Sequence, residues 1–383
     1  MSEVRVNNLS NESLSGGPTI SGITTFSSPY LFVPPKGDTA SRPQSCPSGS
    51  LRFNTDTAKL EYYRGDTIGW VEIEAELTEP LGGGTGSNTG LGARALIGGG
   101  RAPGDINLID FFTITTLGNS QDFGDLTDAR NQLAAHSSRT RGIWGGGYSG
   151  FHDNIDFVTI ASTGDAIDFG DISAARKDLD ACSNEIRGVY MGGRITPNDV
   201  NTIEYVTQSS TGNGIDFGDL IAKKSNTSCY ASSTRGISHS GYSTPSIVNT
   251  IEFITIMTTG NSIDFGDATT VVYREGSGAS NSTRGLAMGG NDGNSVNTID
   301  FVTIATTGNA QDFGDLNAPT SDGAATSNST RAVLAGGAAP VDSNNVNVIH
   351  FVTILTTGDS TDFGDITSTR GSAGGCSNGH GGL

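Results

Sequence analysis

Residues 282–316 read STRGLAMGG, then NDGNSV, then NTIDFVTIATTGNAQDFGDL, and nearly the same sentence occurs six times in this 383-residue chain. Its closing tetrapeptide, Asp-Phe-Gly-Asp, places Phe at 123, 169, 217, 265, 313 and 363, so successive copies lie 46, 48, 48, 48 and 50 residues apart. A period of that size belongs to propeller blades rather than to leucine-rich or helical solenoids. Each copy predicts four short strands, a to d. Strand a, as in Asp180-Ala181-Cys182-Ser183-Asn184, is made of small residues, and strand b, as in Arg141-Gly142-Ile143-Trp144, runs into a glycine cluster. Strand c, Ile155-Asp156-Phe157-Val158-Thr159-Ile160, carries bulky groups on both faces, as expected of a sheet packed between two others. Strand d, Ile167-Asp168-Phe169-Gly170-Asp171, follows a Thr-Gly-Asp turn whose residues tolerate positive φ. No segment shows a useful 3.6-residue period.

The ends of the array are incomplete in complementary ways. The first copy begins at strand b, Arg94-Ala95-Leu96-Ile97-Gly98, without a convincing strand a. The last continues past strand d into Gly374-Gly375-Cys376-Ser377-Asn378, which matches a strand a with no blade of its own. The expectation is an all-β, six-bladed propeller over 93–383, with the C-terminal strand completing the first blade and removing open sheet edges.

The formal charge of −18 excludes the basic surface that phosphate backbones require, so nucleic acid is not an expected partner. No apolar run approaches the ~18–20 residues that span a bilayer, and the N-terminus lacks a signal-peptide core, so no membrane insertion is expected. Cys46, Cys182, Cys229 and Cys376 lack C-x-x-C spacing and announce neither zinc nor a redox pair.

Residues 1–45, rich in Ser, Asn, Gly and Pro, read as an extended attachment arm. Residues 46–78 alternate apolar with polar residues and predict a small β-meander, and 79–92 form a Gly-rich linker. Such a short module buries little core by itself.

The order of small-residue strand, strand ending Gly-Gly, aromatic strand and outer strand is similar to the Kelch repeat, with Phe157 and Phe169 and their equivalents where that family carries Tyr and Trp. Gly49-Ser50-Leu51-Arg52-Phe53-Asn54-Thr55-Asp56, Leu60-Glu61-Tyr62-Tyr63 and Gly69-Trp70-Val71-Glu72-Ile73 resemble a short module of bacteriophage tail fibres and other virion appendages. Pro18-Thr19-Ile20-Ser21-Gly22-Ile23-Thr24-Thr25-Phe26 is similar to arms of the same class, and the repeats resemble Kelch-like arrays in structural proteins of marine cyanobacterial phages. The resemblance implies a virion protein assembled in the host cytoplasm, joined to other virion proteins through residues 1–78.

Candidate chemistry is sparse. Asp-Phe-Gly evokes the kinase magnesium motif, but its companion motifs are missing. The twelve aspartates of the tetrapeptides suit either a calcium ring or, as the preferred reading, turn capping and pairing with the recurrent strand-b arginines Arg94, Arg141, Arg187, Arg235, Arg284 and Arg331. His136, His152, His239, His350 and His380 stand singly, and no acid pair stands outside the repeat as a glycosidase candidate. The expectation is a non-enzyme with no metal or other cofactor.

Turns a–b and c–d are nearly constant between copies, whereas loops b–c vary and share the opposite face with loops d–a. That face suits recognition of a host-surface glycan or protein, if the variation is not mere drift. The candidate binding residues are Tyr148, Phe151, His152, Arg194 and Tyr242. The rival readings are a polysaccharide-degrading phage appendage and a cytosolic Kelch-type peptide-binding adaptor.

Overall fold

The computed structural model describes residues 34–57, 59–73, 93–339 and 345–383. The chain divides into two compact units, residues 1–75 and 76–383. Of the expected arm, residues 1–33 lie outside the described residues, as does the whole expected linker over 79–92.

In the first unit the strands Leu51–Asn54, Lys59–Tyr63 and Trp70–Ile73 form the antiparallel meander, and the two-residue strand Lys36–Gly37 adds to it in parallel. Lys36–Gly37, expected within the extended arm, therefore belongs to this sheet, and residues 34–45 belong to the first unit. Trp70 Nε1 donates to Pro43 O at 2.8 Å and Tyr63 Oη to Gln44 O at 3.1 Å. The covered face is polar: Glu61 is fully buried, accepts from Asn54 Nδ2 at 2.8 Å and pairs with Arg42, whose hydrogen bond holds its carboxyl below the usual range. A sheet too small for an apolar core is pinned by a polar network around Glu61 instead.

The second unit is all-β among its described residues. Six four-stranded antiparallel sheets carry the order a-b-c-d, five of them contiguous in sequence. The second sheet, Ala134–Ser137, Arg141–Gly145, Asn154–Thr159 and Ile167–Asp171, is representative. The exception is the first, where Gly374–Ser377 pairs antiparallel with Arg94–Gly98 beside Leu108–Thr113 and Gln121–Asp125.

Six apolar clusters each join two sheets. Leu286, Met288 and Phe313 of the fifth meet Leu334 and Val352 of the sixth. Val333, Ile349 and Phe363 of the sixth meet Ile97 and Phe112 of the first. Strand c is buried on both faces for this reason, with Ile299, Asp300, Phe301 and Val302 all under a tenth exposed. Each buried aliphatic or aromatic side chain contributes ~1.5–3 kcal/mol. The stabilising core thus lies between sheets, not within one.

The repeated tetrapeptide is explained by the same packing. Its glycine adopts φ of +142° to +149° where strand d bulges from strand c, and at Gly314 an added Cβ would lie 2.5 Å from Gly358 O in the turn of the next sheet. The turn residue that follows caps the neighbouring strand d: Asn309 Oδ1 accepts from Asp267 N at 3.1 Å, and Asn119 Oδ1 from Asp365 N at 3.1 Å.

Candidate binding face

The two ends of the second unit differ in construction. At the a–b and c–d turns every strand-b arginine reaches the following sheet. Arg284 Nη1 donates to Ile354 O at 3.2 Å, and Arg331 Nη1, in the sixth sheet, donates to Ile114 O of the first at 3.1 Å. Each guanidinium also lies over the strand-c ring of its own sheet, as Arg187 does over Tyr205 at 4.1 Å. These arginines serve carbonyl oxygens and aromatic faces, which corrects the expected pairing with the tetrapeptide aspartates.

The same end is stoppered by the C-terminal tail. His380 Nε2 stands 3.1 Å from Ser183 Oγ and 3.0 Å from Ser137 O, and Gly381 N donates to Ser280 O at 2.9 Å. A Cβ at Gly382 would fall 1.8 Å from Ser183 O, so only glycine passes there. Burial pushes the His380 imidazole down to about 4. Above the tail, strands a enclose a cavity of only about 40 Å³, lined by residues such as Ala181, Cys229 and Ser327. Burial raises the thiols of Cys182, Cys229 and Cys376, the last to about 12, so they pack as small inert side chains.

The opposite end, built from b–c and d–a loops, opens into a polar cavity of about 710 Å³. None of the five candidate residues lines this cavity; at the same end four of them fall into two groups. Tyr148 and Phe151 meet edge to face at 5.3 Å, with Lys177 Nζ 4.8 Å from the Tyr148 ring. Arg194 lies over Tyr242 at 5.3 Å while its Nε donates to Asp199 Oδ1 at 2.8 Å, and Tyr242 meets Tyr273 at 6.4 Å. Lys177 and Arg194 share a backbone bridge, which joins the groups into one rim. His152 instead bonds within its own loop, to Ser149 Oγ at 3.0 Å and Asn154 Oδ1 at 3.1 Å, and does not join the rim.

Beneath the rim lies a set that sequence reading missed. Gln132, Asp178, Asn226, Gly276, Asp322 and Ser372 each stand two residues after a d–a loop position held by Arg130, Arg176, Lys224, Arg274, Thr320 or Arg370. All six have φ between +51° and +62°, a conformation that Asn, Asp and Gly tolerate best. Their backbones are linked: Gln132 N donates to Ser372 O at 2.8 Å, Asn226 N to Asp178 O at 2.8 Å and Ser372 N to Asp322 O at 2.7 Å. The recurrence of turn-forming residues at one register was the available signal.

This arrangement brings Asp178, Glu275 and Asp322 within electrostatic reach of one another, a grouping that the sequence reading did not single out. Burial raises all three carboxyl pKa values. Asp322 and Asp178 raise Glu275 further, and Asp178 raises Asp322, whereas Lys177 opposes the shift at Asp178. Asp178 Oδ1 and Glu275 Oε1 are buried without a hydrogen-bond partner.

Neither protein-family models nor curated proteins yield a match to this chain.

Proposed function

We propose that this chain is a non-enzymatic bacteriophage virion protein whose repeats close as a six-bladed, Kelch-like β-propeller. Residues 1–78 attach it to other virion proteins, and the loop face engages a host-surface glycan or protein or decorates the particle. Closure is supported by the pairing of Gly374–Ser377 with Arg94–Gly98 and by the core shared between the sixth and first sheets. The virion assignment rests on the resemblance of residues 18–26, 49–73 and the repeats to phage appendage proteins.

The observation that carries the recognition reading is the contrast between ends. Uniform turns and the tail occupy one, while variable loops surround a 710 Å³ polar cavity at the other. That volume lies within the range of roughly 300–1,000 Å³ usual for ligand sites. The three gathered carboxylates favour, as second reading, a polysaccharide-degrading appendage, because glycoside hydrolysis uses a proton-donating acid beside an ionised one.

Incubating the purified chain with host envelope polysaccharide separates these readings. Retention without cleavage supports recognition, depolymerisation supports the enzyme, and neither supports particle decoration. Locating the chain in particle density tests the virion assignment itself.

A further inference from the structure

Strand d forms the outer wall of each sheet, and its first residue divides the sheets into two sets. Sheets two to four carry Ile167, Ile215 and Ile263, opposite Phe157, Tyr205 and Phe253 of strand c. The fifth, sixth and first sheets carry Gln311, Thr361 and Gln121 instead, opposite Phe301, Phe351 and Phe111. These three sheets are neighbours, since the fifth shares a core cluster with the sixth and the sixth with the first. Beside each of the three polar residues lies a hollow, of about 190 Å³ in the fifth sheet, 290 Å³ in the sixth and 170 Å³ in the first. Each hollow brings the strand-c ring together with a turn threonine, such as Thr307, Thr357 or Thr116, and with Asn309, Asp359 or Asn119. The side chains of Gln311, Thr361 and Gln121 are exposed and make no hydrogen bond among the described residues. Asn309 and Asn119 spend Oδ1 on capping the neighbouring strand d, which leaves Nδ2 to donate.

We propose that these three hollows are equivalent sites for single uncharged pyranose units, separate from the loop face. Three observations select this class. The lining groups are hydroxyls, carboxamides and a ring, which pair sugar hydroxyls and meet an apolar sugar edge. Among the described residues no Lys or Arg lines a hollow and the sixth sheet contributes Asp359, so an anionic sugar finds no partner. The volumes fall below the roughly 300–1,000 Å³ of drug-sized ligand sites, so each hollow takes one small unit. An extended peptide finds no open edge, because the turn already holds strand d. Gly308 N donates to Phe265 O and Ala310 N to Asp267 O, both at 2.8 Å. Like sites on three neighbouring sheets suit repeated units of one polymer, whose linkage multiplies a weak single-site affinity. The inference does not depend on the loop face being a recognition surface.

The test is saturation-transfer NMR on the full chain with millimolar glucose, galactose and mannose as probes and with glucuronate and sorbitol as controls. The expected result is transfer to at least one of the hexoses. Glucuronate, which brings a charge, and sorbitol, which lacks the ring, are expected to receive little. Q121I/Q311I/T361I places in all three sheets the residue that sheets two to four already carry. It is therefore expected to keep the wild-type melting temperature while losing most of the transfer. Each single variant, Q121I, Q311I or T361I, is expected to remove its own share, which keeps the test decisive if the triple variant melts lower. No transfer to any hexose, or equal transfer to glucuronate or sorbitol, would overturn the proposal. Transfer that persists unchanged in the triple variant and in every single variant overturns the outer-wall sites and leaves the loop-face reading intact.

Discussion

Arg370 Nη2 lies 2.8 Å from Asp110 Oδ2, both side chains fully buried, although 260 residues separate them in sequence. The same link recurs as Arg130–Asp156, Arg176–Glu204, Lys224–Glu252 and Arg274–Asp300, at 2.5–3.0 Å. Each ties a d–a loop to strand c of the sheet that the loop enters. In the sixth sheet both partners change together, to Thr320 and His350, both buried. Burial pulls the Arg370 guanidinium down in pKa and Asp110 pulls it back up. A buried charge is tolerated here only with its partner present.

Arg370→Thr alone is therefore expected to destabilise the second unit by about 3–5 kcal/mol, because it strands Asp110. R370T/D110H, which copies the sixth sheet, is expected to recover most of that loss. Urea denaturation of the two variants checks this; a double variant no better than the single one would refute the linkage.

Deleting residues 369–383 removes the inner strand of the first sheet together with Arg370 and the tail. Cooperative unfolding should disappear, as followed by circular dichroism on heating. A truncated chain that melts as sharply as the full one would rule out closure by the C-terminal strand.

Gly364→Ala should destabilise more than Gly358→Ala, by about 1–3 kcal/mol. Both positions have similar φ, +147° and +152°, but an added Cβ at 364 would meet Gly118 O at 2.5 Å whereas at 358 it meets nothing within 4 Å. Comparing their denaturation midpoints isolates the clash from backbone strain. Equal losses would show that conformation alone demands glycine.

His136 is buried, held by Gln208 Oε1 at 3.0 Å and Tyr190 Oη at 3.1 Å, and burial pushes its pKa down to about 4. Its folded value lies below the unfolded one, so the unfolded chain binds more protons between about 4 and 6.5 and stability falls as pH drops through that window. Asp180, raised to about 7 by burial, acts with the opposite sign over the same range. The difference between variants is therefore the clean readout. The cost of His136→Gln should shrink by about 2 kcal/mol between pH 7 and pH 5. A cost independent of pH would mean that His136 is not held neutral.

Strand positions were legible because their causes are local. Alternation, β-branching and Thr-Gly-Asn turns act within a few residues and recur six times, and the incomplete first and last copies point to each other. The partners of the recurrent side chains were not legible. The strand-b arginines could equally have served the tetrapeptide aspartates, and only the placement of the next sheet delivers Ile114 O and Ile354 O to them. Of the chosen loop residues, Tyr148, Phe151, Arg194 and Tyr242 fall on one rim because neighbouring b–c loops lie side by side. His152 turned inward because its own loop supplied partners.

The sequence alone determined the repeat, its four strands, the sheet completed by Gly374–Ser377 and the division into constant and variable loops. These follow from hydrogen bonding and sterics between near neighbours or exact copies. Tertiary structure alone decided that Asp178, Glu275 and Asp322 come within electrostatic reach of one another, that the tail stoppers one end and that the other stays open. Those residues stand 97 and 47 positions apart, and desolvation and mutual repulsion arise only once separate sheets bring them to one place.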